Sequence, residues 1–400
     1  MTKNSVLLAA AILLVVTTAV QAQTEPTPPK PIPSARDVLT FLVTTQGVQT
    51  GDVLKDREAA EATRDTIERA LLVELASVPL TSSSGGFSYR FNPELGTVER
   101  VAQSFGPLFA DRAVTGGRGL SSFSLTYHHA DYVSLHGRDL ESGALVTTAN
   151  RFRGDAAPYD VEALSLEMQT TTVVAAATYG VLDRVDLGVA VPVIQVSLAG
   201  RRVNTYNGQP FLQATGTSNS TGIGDVAVRG KVQLLRRSGG AAGATFEVRL
   251  PTGSEENLRG AGTVGLKSRV VVSMGEGAVE GHANFGFAIG GVSDEVSLSG
   301  AVSAAVSRRV TLSGEALMRR LAGLHEIQEV IQPHPSVAGV ETLRLLPTGP
   351  TSLAVTAVGG VRWNIASTLL LNAYVTAPLT DAGLKARVAP TISIEYSFLP

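Results

Sequence analysis

Eight ionisable side chains, Asp225, Arg229, Lys231, Glu247, Arg249, Lys267, Arg269 and Glu280, recur within short stretches at even spacings. In an extended strand even spacing keeps side chains on one face. Two kinds of chemistry fit mixed charges on such a face. One is a ladder of cross-strand ion pairs that props a structure from within. The other is a filter that discriminates solutes by charge. The ladder is the simpler reading. His128, His129 and His136 are the candidates for a metal, but adjacent strand residues point to opposite faces and no convergent ligand set is visible. Serine, histidine and aspartate are all present, yet no Gly-x-Ser-x-Gly elbow occurs. Gly222-Ile223-Gly224-Asp225 opens a strand with no crossover helix behind it, so a nucleotide loop is excluded. The expectation is therefore no catalytic, metal or cofactor-binding residue and no enzyme.

The elements that would carry the eight charges alternate strictly. Val226, Val228, Gly230, Val232 and Leu234 share the face opposite Asp225, Arg229 and Lys231; Phe246, Val248 and Leu250 oppose Glu247 and Arg249. Leu266, Val270 and Val272 oppose Lys267 and Arg269, while Phe285, Phe287 and Ile289 oppose Glu280 and His282. A lysine or arginine facing lipid near mid-membrane costs roughly 2–4 kcal/mol, which selects the inner face of a transmembrane barrel for these groups. The last strand repeats the pattern. Val388, Pro390, Ile392, Ile394, Tyr396 and Phe398 lie on one side, with Ala389, Thr391, Ser393, Glu395 and Ser397 on the other.

Strands of this kind are expected near 121–136, 161–181, 184–203, 223–236, 242–252, 262–274, 278–290, 295–306, 309–320, 351–363, 367–378 and 386–398. The connections sort by parity. Those after even strands are tight, as at Leu182-Asp183, Arg237 to Gly240, Gly275 to Gly277, Ser307-Arg308 and Asn364 to Ala366. Those after odd strands are longer, at 137–160, 204–222, 253–261 and 322–350, with Gly291 to Asp294 a short exception. Short periplasmic turns and long external loops give this asymmetry in outer-membrane barrels. Trp363, Tyr396 and Phe398 fall where an interfacial aromatic girdle belongs. The fold class expected is all-β, a transmembrane antiparallel up-and-down barrel of about twelve strands, or fourteen if a hairpin at Phe87 to Val101 joins it.

Lys3, an apolar run from Val6 to Val16 and the small residues up to Ala22 form a secretory signal over residues 1–22. Residues 23–51 read as a proline-rich linker, Pro26 to Pro33, followed by a short segment. Residues 52–119 read as a periplasmic helical segment and hairpin. Asp52 is its N-cap, and Ala60, Ile67, Leu71, Leu75 and Val78 form its apolar stripe. This helix is expected to rest on the periplasmic mouth, with a plug as the alternative. The barrel occupies 120–400. The 400 residues hold no cysteine, 41 glycines and a net charge of −2, which excludes a disulfide framework and a basic footprint for nucleic acid.

Leu182-Asp183-Arg184-Val185-Asp186-Leu187-Gly188, Gly222-Ile223-Gly224-Asp225 and Leu250-Pro251-Thr252-Gly253 together resemble the outer-membrane transporter family named after the MetA pathway of phenol degradation. The resemblance runs from about Leu120 to Phe398. It implies a barrel that helps small hydrophobic or aromatic compounds cross the outer membrane, and it carries over no binding residue. The expected partners are outer-membrane lipid, a small-molecule solute and the barrel-assembly machinery, since Tyr396-Ser397-Phe398 resembles its C-terminal signal. The expected function is passage of small molecules through a narrow, charge-lined lumen gated by 137–160 and 322–350. A structural or partner-binding barrel is the first alternative, and a lipid-acting barrel enzyme the second.

Overall fold

The structure, a computed structural model, describes residues 33–44, 64–65, 67–75, 80–83, 85–92, 97–322, 326–334, 337–348, 351–366 and 368–398. The signal sequence, the tether up to Ile32 and the expected cap at Asp52 lie outside the described residues.

Twelve antiparallel strands close into a barrel. They are β1 (Ser121–Leu135), β2 (Asp160–Leu182), β3 (Val185–Tyr206), β4 (Val226–Arg237), β5 (Gly240–Leu250) and β6 (Gly265–Glu276). The second half comprises β7 (Val279–Gly290), β8 (Glu295–Ala305), β9 (Val310–Ala322), β10 (Thr351–Ala366), β11 (Leu369–Pro378) and β12 (Ala389–Phe398). Each strand pairs with its neighbour in this order, and β12 closes the ring on β1 from Thr391↔His128 to Phe398↔Ser121. The fourteen-strand alternative is not realised, because Tyr89–Asn92 and Thr97–Arg100 form a two-stranded sheet of their own.

Alternation decides which face meets what. Along β12 every second residue from Ala389 is buried and every other one is exposed, so Ile392, Ile394, Tyr396 and Phe398 project outward. Phe246, Phe285, Phe287 and Leu298 do the same on their strands. This continuous apolar exterior is what a hydrocarbon environment requires. Phe123, Tyr179, Trp363, Tyr396 and Phe398 are all exposed near the short-turn end, and the last two rings pack edge to face at 4.6 Å.

The connections at 204–222 and 322–350 contain hairpins and that at 137–160 contains paired strands, which corrects their reading as loops. β3 runs on to Tyr206, turns at Asn207-Gly208 and returns as Gln209–Ile223. Both turn residues have positive φ, 47° and 79°, as a two-residue type I′ hairpin demands. Between β9 and β10, Glu326–Pro333 pairs with Val340–Thr348, whose outer edge pairs with Leu145–Phe152 from the β1–β2 connection. Two connections separated by β11 and β12 are thus hydrogen-bonded together beyond the barrel.

Two helical segments precede the barrel. Ala35–Thr44 forms α1, a helix absent from the sequence reading. Its start is a reciprocal cap: the Asp37 amide donates to Ser34 Oγ and the Ser34 amide donates to Asp37 Oδ2, both at 3.0 Å. Residues 67–75 are helical and are called α2. Val38, Leu39 and Leu42 of α1 and Ile67, Leu71 and Leu75 of α2 bury themselves among Leu135, Leu164, Leu166 and Leu198. Those four leucines belong to the long-connection ends of β1, β2 and β3. The helical segment therefore packs at the end opposite the short turns. Fully burying each such side chain is worth about 1.5–3 kcal/mol.

A plugged lumen and the cavity above it

Described residues between α2 and β1 run inside the barrel. Their backbone is gripped by polar side chains from nearly every part of the wall. Arg229 of β4 donates to Thr81 O at 2.6 Å, and the Gly86 amide donates to Glu395 Oε1 of β12. Arg362 of β10 donates to Phe105 O at 2.6 Å and also to Glu395 Oε2 at 2.7 Å. Glu315 of β9 accepts from the consecutive amides of Leu108, Phe109 and Ala110, at 2.7 Å, 3.1 Å and 2.7 Å to its nearer oxygens. The Asp111 amide donates to Asn284 of β7, Ala113 to Ser273 of β6, and Gly116 to Asp186 of β3. Gly119 finally donates to Gly180 O beside the short turn. The segment thus crosses the lumen from the long-connection end to the short-turn end. A side chain at Gly180 would collide with the Gly117 carbonyl oxygen, so glycine is needed where plug and wall touch.

This arrangement follows from elementary energetics. A chain inside a barrel has no water with which to satisfy its amides, and each amide or carbonyl left unpaired costs about 1–3 kcal/mol. Wall carboxylates, guanidinium groups and amides supply the partners instead. The signal in the sequence was the run of glycines and serines from Ser82 to Gly119, a composition suited to close backbone approach rather than to a helix.

The eight charges singled out in the sequence are placed as follows. Arg229, Arg249 and Arg269 converge on Glu247, at 3.0 Å, 2.7 Å and 3.4 Å. Arg269 also reaches Asp111 of the plug at 2.9 Å, and Lys231 lies 3.6 Å from the same carboxylate. Lys267 pairs at 2.7 Å with Glu295, which Arg319 shares at 2.8 Å. Glu280 stands apart near the short-turn end, accepting from Ser104 Oγ of the plug. Asp225 joins none of these pairs. It accepts from the Gly253 and Ala261 amides and fastens the 253–261 connection. Asp111, Glu315 and Arg362, which complete the network with Glu295, were missed because plug contacts leave no periodic signature.

Of the histidines, His128 meets Thr391 Oγ1 and His129 meets Thr171 Oγ1, on opposite sides of β1. His136 sits beyond the strand, where its Nδ1 accepts from the Gly383 amide at 3.3 Å. Burial first, then Lys385 and Arg138, lower its imidazole to about 4.

Between the plug, α2 and the long-connection halves of the strands lies a cavity of about 300 Å³, at the small end of ligand pockets. Its wall mixes apolar groups, among them Leu80, Phe109, Leu317 and Leu321, with Lys267, Arg319 and Glu295. It also includes Leu266, Ile289 and Leu298, whose side chains are exposed on the outer face of β6, β7 and β8.

Known families were compared with this barrel. Residues 149–321 match the family described as "Putative MetA-pathway of phenol degradation". The matched stretch covers β2 to β8 and most of β9, including the motifs that carry the resemblance noted in the sequence. No curated protein sequence matches the chain. Among solved structures, the COG4313 outer membrane channel from Pseudomonas putida F1 is similar at 12% identity and TM-score 0.44, covering 72% of this chain and 98% of that one. A KdgM porin aligns at 9% identity and TM-score 0.37, over 69% and 99% of the two chains. A FadL homologue of Pseudomonas aeruginosa aligns at 8% and 0.33, over 70% and 90%.

Proposed function

We propose that this barrel resides in the outer membrane and passes small, largely apolar molecules, using the cavity above the plug as their station. The observation that carries the reading is that cavity. It is large enough for a single-ring compound, and Leu80, Phe109, Leu317 and Leu321 give it an apolar lining above the plug. The match to a family named for phenol degradation supports an aromatic solute. The eight charges serve as a scaffold for the plug rather than as an ion filter, because most are committed to partners in the wall or in the plug. No chemical step is assigned to the protein.

The test is initial uptake of radiolabelled toluene and of radiolabelled arabinose by cells with and without the protein in the outer membrane. Faster toluene uptake with unchanged arabinose uptake is the expected result. Equal toluene uptake in both strains refutes the proposal. The dense bonding of the plug favours one other reading, a barrel closed to all solutes that binds a partner through its hairpins. That reading predicts no change for either solute.

A further inference from the structure

We infer that the cavity above the plug binds a small organic anion with an apolar body, and that Lys385 is the group that holds its charge. The inference deepens the passage reading by naming a substrate class, and it rests on that reading for its biological use.

Lys385 belongs to the short strand Leu384–Ala386, which pairs with the end of β1. Its side chain lines the cavity, yet the residue is only 7% exposed. Among the described residues no acceptor or carboxylate forms a hydrogen bond or ion pair with it. The charged groups whose fields reach it are Glu74, Arg319 and Asp381, of which Arg319 repels it. Glu74 and Asp381 attract the ammonium from a distance, and a bound anion in the cavity would give this largely buried group a direct partner.

Three of the four carboxylates on the wall are already engaged, whereas Glu74 Oε1 is buried without a hydrogen bond among the described residues. Glu247 takes three arginines, Glu295 takes Lys267 and Arg319, and Asp225 takes two backbone amides. Glu74 leans on Arg319 at 3.8 Å. Basic side chains on the wall outnumber acidic ones by six to four, so the space carries a positive field in a low-dielectric surrounding. Phe109, Leu317, Leu321 and Leu384 offer the apolar contact for the rest of the ligand. A carboxylate on a single aromatic ring satisfies both requirements, whereas a cation meets repulsion and a neutral ring leaves Lys385 unpaired.

Equilibrium dialysis of radiolabelled benzoate against the refolded mature protein in a non-ionic detergent tests this, with labelled benzyl alcohol as the neutral counterpart. The wild type should bind benzoate at one saturable site, more tightly than benzyl alcohol and less tightly as sodium chloride is raised. Lys385→Met should weaken benzoate at least tenfold and leave benzyl alcohol unchanged, while Glu74→Gln, which removes a competing negative charge, should tighten benzoate. No saturable benzoate binding, or benzoate binding indifferent to both substitutions, overturns the inference. Toluene uptake by cells is read separately: benzoate binding without toluene uptake would leave this site standing and remove the passage reading, and the converse would do the opposite.

Discussion

Arg269 on the barrel wall donates through Nη1 to Asp111 Oδ2 at 2.9 Å, and so ties the wall to the chain that fills it. Lys231 approaches the other Asp111 oxygen at 3.6 Å, and the Ser83 amide donates to that oxygen at 2.7 Å. Asp111 is thus a node at which two cations of the wall and two separate parts of the plug meet. A buried cluster of this kind is a poor source of net stability but costs much to break, because removing one member leaves the others charged and dry.

Asp111→Ala should therefore lower the stability of the refolded barrel by about 3–5 kcal/mol, read as a drop in its urea midpoint. Adding Arg269→Met to that variant should recover part of the loss. Equal midpoints for the wild type and the single variant would show that plug and wall are not coupled here.

Glu315 accepts from three successive plug amides, each a charge-assisted bond worth roughly 1.5–3 kcal/mol. Glu315→Gln weakens all three without changing the side-chain shape. Amide exchange at Leu108, Phe109 and Ala110 should accelerate at least about tenfold, since 1.4 kcal/mol is a factor of ten, while amides in β5 and β6 stay protected. Uniform acceleration along the chain would mean global loosening instead.

His136 gives the long-connection end a pH dependence with a definite sign. Its folded-state value of about 4 lies below the 6.5 of the unperturbed side chain. Between these values the unfolded chain binds the proton and the folded chain does not. Stability from this residue is thus full above pH 6.5 and lost as pH falls toward 4. His136→Gln should flatten the melting temperature against pH across that window. An unchanged slope would show that His136 does not titrate as described.

Trp363 is the single tryptophan of the chain and is exposed on the outer face of β10, close to the short-turn end. In phospholipid vesicles, lipids brominated near the headgroup should quench its fluorescence more than lipids brominated at the chain end. Quenching by neither would place this face out of contact with lipid.

The strands were legible because one physical rule, apolar outward and polar inward at period two, governs most residues in them, the exceptions being inward leucines such as Leu164 and Leu198 that meet the helices, and the parity of the turns set their order. The type I′ turn at Asn207-Gly208 was legible too, as an Asn-Gly pair, but was passed over inside a polar stretch. The Ser34-x-x-Asp37 cap of α1 was likewise visible and lay hidden in the tail of a proline-rich tether. The plug is a different matter. Its shape is set by side chains far away in the chain, such as Glu315 for Leu108 and Arg362 for Phe105, and no local pattern encodes such distant partners. The even spacing of Arg229, Glu247 and Arg269 told that they face inward, but not that they hold a chain in place.

The described residues between Thr81 and Gly116 close the lumen and leave the cavity above them as a place for solutes. Conductance across a planar bilayer containing the inserted mature protein tests this closure most directly. The account predicts insertion without stepwise ion current, and brief openings once Asp111→Ala and Glu315→Gln together loosen the plug. Steady current steps from the wild-type barrel would contradict it.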